Sequence, residues 1–136
     1  MPAGPLIDID FRALPIITQG AFGKTDLLYA TDPPCIQLKI NDSVFVSIGN
    51  HLYICLAKLR EQMPDVDFLC KGSKLNLHSS RSTRQITAGL MAYELTMGKQ
   101  ARRSDLVNIF DCDDNNLTSK PDDQNSFFEA WLTSLE

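Results

Sequence analysis

No stretch of this sequence comes near the roughly 18 consecutive apolar residues that a membrane-crossing helix requires. The opening Met1-Pro2-Ala3-Gly4-Pro5 lacks the basic start and apolar run of a secretory leader. A cytoplasmic protein with no membrane partner is therefore expected. Histidine and cysteine are few and scattered. His51 and His78 are the two histidines, and Cys35, Cys55, Cys70 and Cys112 are separated by 20, 15 and 42 residues. Such gaps exclude the close ligand pairs of zinc knuckles and redox motifs, so the cysteines read as small hydrophobes and no cofactor is expected. Internal repeats and low-complexity blocks are absent as well.

What is present is enough apolar residue for a core and a sharply divided charge. The 136 residues are 43% hydrophobic, which fits one packed domain and argues against global disorder. The net charge of −4 hides three unequal segments. Residues 1–70 carry −3. Residues 71–104 carry +6, with Glu94 the lone acid among Lys71, Lys74, Arg81, Arg84, Lys99, Arg102 and Arg103. Residues 105–136 carry −7, with Lys120 the lone base. Asymmetry of this size points to an electrostatic partner, either another molecule or the acidic end of the same chain.

Periodicity sets the expected elements. Alternation predicts strands over Leu6–Phe11, Leu14–Thr18 and Cys35–Ile40, with Thr31-Asp32-Pro33-Pro34 as a breaker. Apolar residues three and four apart predict a helix from about His51 to Met63, stopped by Pro64. Val66–Cys70 and Lys74–Leu77 read as a hairpin around Gly72-Ser73. Ile86, Leu90, Tyr93 and Met97 form one face of a predicted helix over Ser82–Met97, ended by Gly98. A short helix from Ser104 to Phe110, a polar acidic loop over 111–124 and a last helix over Ser126–Leu135 follow. The expectation is a single compact α+β domain. Short strands and a hairpin come first, and three to four helices lie mainly in the C-terminal half.

Three motifs suggest chemistry and each has a plainer reading. Thr18-Gln19-Gly20-Ala21-Phe22-Gly23-Lys24-Thr25 resembles the phosphate loop of nucleoside-triphosphatases in its Gly23-Lys24-Thr25 ending. Thr18 stands where that loop has its first glycine, and Asp26–Ala30 meets a breaker after one turn, so a surface loop is expected. Asp111, Asp113, Asn115 and Asp122 are spaced like ligands of an EF-hand calcium loop. Asn116 replaces its turn glycine and no second loop follows, so a solvated acidic linker is expected. Asp8 with Asp10, and Asp65 with Asp67, could share a strand face, but both pairs read as the wet side of amphipathic strands.

The basic segment carries the functional expectation. Lys71, Lys74, His78, Ser80, Arg81, Ser82, Arg84, Lys99, Arg102 and Arg103 are the candidate partner- or anion-binding residues. Arginines beside hydroxyls at a helix start suit a phosphate or carboxylate, and two basic clusters would sit at the two ends of one helix. The expected function is a non-enzymatic regulatory or accessory protein, such as an inhibitor, immunity or chaperone-type protein. Its partner would be an acidic protein, with nucleic acid the other partner class. The alternative is a small enzyme acting on a phosphate-bearing substrate held at Ser80–Arg84, with Cys70 or His78 as the reactive group.

Overall fold

Residues 9–136 are described by the computed structural model. Its first half is an antiparallel meander: β1 (Asp10–Thr18), β2 (Ala21–Thr31), β3 (Pro34–Ile40) and β4 (Ser43–Ile48). Adding β5 (Val66–Phe68) completes a five-stranded sheet in the order β4-β3-β2-β1-β5. Alternation builds it. Leu14, Ile16, Leu27, Tyr29, Ile36 and Leu38 point inward and are buried, while their neighbours along each strand point out.

Leu14–Thr18 is thus not a separate strand but the second half of β1. Pro15 fits within it because its carbonyl, and with it the missing N–H, faces the β5 side, where the ladder has ended. That carbonyl accepts the Leu69 N–H at 3.0 Å. Leu6 to Asp8, the start of the first predicted strand, lies outside the described residues. Gln19 and Gly20, at φ 50° and 78°, form the two-residue turn between β1 and β2. The phosphate-loop resemblance ends there. Gly23 to Thr25 lie in β2, and the Thr25 hydroxyl is buried, donating to the Lys39 carbonyl at 2.6 Å.

Helix α1 (Leu52–Gln62) closes the inner face of this sheet. His51 caps it, its Nδ1 accepting the Ile54 N–H at 3.2 Å, and the helix stops before Pro64 as the sequence indicates. Leu52, Cys55, Leu56 and Leu59 enter the core with the sheet residues, Phe68 and Phe110. Each such side chain stabilises the fold by about 1.5–3 kcal/mol through burial.

The second half holds a small antiparallel sheet of β6 (Leu77–His78), β7 (Met91–Glu94) and β8 (Leu106–Asn108), in the order β6-β7-β8. Helix α2 (Arg81–Thr87) connects β6 to β7, and α3 (Pro121–Ser134) packs against β6 and α1. The described residues form one compact α+β domain with three helices, two of them in the C-terminal half. No described helix is long and apolar enough to cross a membrane.

Several expected elements change here. The helix over Ser82–Met97 ends at Thr87. Ala88 and Gly89 take left-handed φ values of 55° and 82°, and Met91–Glu94 becomes the central strand of the small sheet. A side chain at Gly89 would place its Cβ 2.9 Å from the Leu52 nitrogen, so this turn is wedged against the start of α1. Ile86, expected on the apolar face, is 83% exposed. Residues 66–77 do not form a hairpin: β5 pairs with β1, a 3-10 turn occupies Lys71–Ser73, and β6 pairs with β7. The helix expected over Ser104–Phe110 is a 3-10 turn at Arg103–Asp105 followed by β8. Finally, α3 starts five residues early, because Pro121 suits the first helical position and Asp122 and Asp123 complement the helix dipole.

Candidate functional site

The ten candidate residues divide into two groups. Lys71 and Lys74 face inward. Lys71 Nζ lies 2.8 Å from Glu94 and 3.1 Å from Asp113, and Lys74 Nζ lies 3.0 Å from Asp113 and 3.1 Å from the Asn115 carbonyl. Asp113 also accepts the Asn115 N–H at 2.8 Å, and this bond with the two lysines holds its carboxyl down at a pKa of about 2. These lysines are therefore structural ion-pair partners, not a free binding surface. Part of the acidic end does lie against the basic middle, and this is the place.

The same contacts dispose of the calcium-loop resemblance. Asp111 is engaged by Arg12 at 2.9 Å and Asp113 by the two lysines, and β8 stands where the loop's first helix should be. Among the described residues no group of three or more acids, histidines or cysteines could hold a metal. Asp8 lies outside the described residues. Asp65 precedes β5 while Asp67 lies within it, so the second carboxylate pair does not share a strand.

His78, at the end of β6, stacks on Phe128 of α3 with ring centroids 3.7 Å apart and planes 5° apart. Burial, and secondarily the field of Arg84, depress its pKa to about 4, and the same causes depress His51 to about 4. Both rings are neutral at pH 7. Ser80 caps α2, accepting the Thr83 N–H at 3.2 Å, with the exposed Ser82 hydroxyl 3.1 Å away. Arg84 donates from Nε to Ser79 at 3.4 Å, and Arg81 is exposed. The helix beyond Ser80 has seven residues, too short for the dipole-assisted anion cradle expected at its start. Cys70, one of the two reactive groups of the enzyme alternative, is fully buried, and burial pushes its pKa up. It is neither accessible nor a thiolate.

Lys99, Arg102 and Arg103 are exposed at the other end of the small sheet. The intervening strand β7 alone spans about 13 Å. The two basic clusters are thus separated by a sheet and not by the helix expected from the sequence. Thr96, Gly98, Lys99, Arg102, Ser104 and Asp105 line an open cavity of about 610 Å³. Its wall is held rigidly from behind. The Trp131 indole donates to the carbonyls of Thr96 at 3.1 Å and Lys99 at 2.9 Å, and Ser134 accepts the Gly98 N–H at 2.9 Å. Asp105 accepts the Arg102 backbone N–H at 2.8 Å. Among the described residues none of Arg81, Arg84, Lys99, Arg102 and Arg103 forms an ion pair, whereas Lys71 and Lys74 do.

Sequence reasoning missed a buried anchor of this half. Arg60 is 2% exposed and forms no ion pair among the described residues. It donates to the carbonyls of Gly72 at 3.2 Å and Thr118 at 2.6 Å and to Gln124 Oε1 at 2.8 Å. Gln124 also receives the Tyr53 hydroxyl and donates to the carbonyls of Gly72 and Lys74 at 3.0 and 2.7 Å. The available signal was position. Arg60 lies four residues after Leu56, on the stripe that α1 buries.

The fold and this surface define a compact α+β domain with a localised cationic face. No protein-family model matches the chain, and no curated protein matches it in sequence.

Proposed function

We propose that this chain is a non-enzymatic accessory or regulatory protein of the cytoplasm that binds an acidic protein through Lys99, Arg102 and Arg103. Arg81 and Arg84 extend the contact across the small sheet. The observation that carries this reading is the contrast among the seven cations of residues 71–104. Two are neutralised inside the fold, and the other five are exposed with no ion-pair partner among the described residues. An arginine and a lysine beside a preformed cavity match carboxylates without reorganising, which lowers the entropy lost on binding. The −7 segment that follows repels a nucleic acid, whose charge is continuous along its backbone, more than a protein that presents its carboxylates in one local patch, which favours a protein partner.

The test is titration with a fluorescent poly-glutamate peptide, beside single-stranded RNA and duplex DNA of similar charge. Peptide binding should weaken steeply with salt and fall at least about tenfold in Lys99→Ala/Arg102→Ala/Arg103→Ala. Nucleic acid binding in preference to peptide, or a triple variant that binds as the parent does, overturns the reading.

A further inference from the structure

Among the described residues, most of the outer face of the five-stranded sheet is open, Ala30 at 1% exposure being the exception, and its residues are not those expected of a solvated face. The strand registers place Phe11, Leu28, Gln37 and Val46 in one row across β1 to β4, and Ala30, Cys35 and Ile48 in the next. Phe11 is 53% exposed, Leu28 39%, Val46 53% and Ile48 64%, and Ile9 beside them is 58% exposed. Ile9, Leu28, Val46 and Ile48, with Pro33, line a shallow cavity of about 460 Å³. The row on the other side of the first is charged, running Ala13, Asp26, Lys39 and Val44. One half of this face is therefore apolar and the other half polar. Among the described residues the helix packed on β3 and β4 is α1, and it lies on the opposite face.

We infer that this face is the interface of a homodimer, in which two copies stack sheet on sheet with Leu28, Val46 and Ile48 at the centre. Three features favour a second copy as the occupant. The first is area. Half-open side chains of this size present about 100 Å² each, so five of them with Val44 and the polar rim approach the roughly 800 Å² per partner of a stable interface. The second is charge. Asp26 and Lys39 are cross-strand neighbours of opposite sign. A two-fold axis can set Lys39 of one copy against Asp26 of the other, with no like-charge conflict while the apolar halves meet. The third is the edge. β4 reads Ser43-Val44-Phe45-Val46-Ser47-Ile48, with no charge or proline to guard it. A copy seated on the face would cover the outward Val44, Val46 and Ile48 side chains of this strand, as in aligned sheet packing.

The experiment is sedimentation velocity on the full chain from about 1 to 200 µM, a span that covers micromolar dimers. The parent should pass from monomer to dimer. Leu28→Lys and Val46→Lys replace exposed residues and should stay folded and monomeric throughout. Cys35 lies within the interface and Cys112 is exposed elsewhere. Thiol labelling of Cys35 should therefore slow as concentration rises in the parent, and that of Cys112 should not. A parent that remains monomeric at 200 µM overturns the proposal, as does a dimer that survives both lysine variants with Cys35 labelling unchanged. These outcomes leave the peptide titration independent, because none of its residues lies on this face.

Discussion

The two halves of this molecule are held together differently. The five-stranded sheet with α1 is an apolar assembly whose strands pair with sequence neighbours, apart from β5. The small sheet with α3 is tied down by buried polar contacts between distant residues: Arg60 to Thr118 and Gln124, Lys74 to Asp113, Trp131 to the Thr96–Lys99 turn. The first half draws its stability from area removed from water. The second depends on groups that become expensive when one partner is lost. A cationic surface is well served by the second design, since Trp131 and Ser134 hold the Thr96–Lys99 backbone that carries Lys99.

This contrast can be broken most sharply at Arg60. Arg60→Ala would leave the Thr118 carbonyl without its donor, take one of two donors from both the Gly72 carbonyl and Gln124 Oε1, and open a cavity, and should lower stability in urea by about 3–5 kcal/mol. Leu38→Ala, its counterpart in the apolar half, should cost about 3 kcal/mol by cavity formation. If Arg60→Ala costs much less than Leu38→Ala, the second half is not held by its polar contacts.

Next in size is Asp113→Ala, which strands the buried Lys74 ammonium and should cost about 2 kcal/mol in the same assay. Its signature is a near-zero effect below pH 2, where the parent carboxylate is itself protonated. The histidines give a smaller, distributed effect. Both have an ordinary pKa of 6.5 in the unfolded chain and about 4 in the fold. Between those values the folded state holds fewer protons than the unfolded one. Their contribution to stability is therefore complete above pH 6.5 and is lost as the pH falls towards 4. The urea midpoint should drop over this window, and less so in His78→Phe, which keeps the stack on Phe128 without the proton. A flat midpoint between pH 6.5 and 4 would contradict the burial of these rings. Smallest is Gly20→Ala. It meets no neighbouring atom but must hold φ at 78°, and should lower the thermal midpoint by an amount equivalent to about 1 kcal/mol.

The first half was legible in part: β2, expected as a surface loop at its start, and β4 were not foreseen, while β3 and α1 were. Cys35–Ile40 alternates and is β3, and the spacing of Leu52, Cys55, Leu56 and Leu59 gives α1 almost to its ends. Local pattern suffices there because each element meets its sequence neighbour. The site was legible only in part. Lys99, Arg102 and Arg103 are where composition pointed, on the surface. Lys71 and Lys74 look the same in sequence, yet Lys71 is half-buried and Lys74 buried, both paired with Asp113 about forty residues away.

What the sequence by itself determined is the division of charge, the α+β class and the apolar faces that drive the meander and α1. These follow from composition and from periods of two and 3.6 residues, which any local segment displays. What only the tertiary structure decided is the fate of Ser82–Met97. Its helical spacing is real, but Met91–Glu94 gains a strand on either side and Gly89 must fit under His51 and Leu52. Tertiary structure alone likewise selects which cations an acid neutralises and which remain free, because pairing depends on distance in space and on the dielectric that burial creates, and neither is written along the chain.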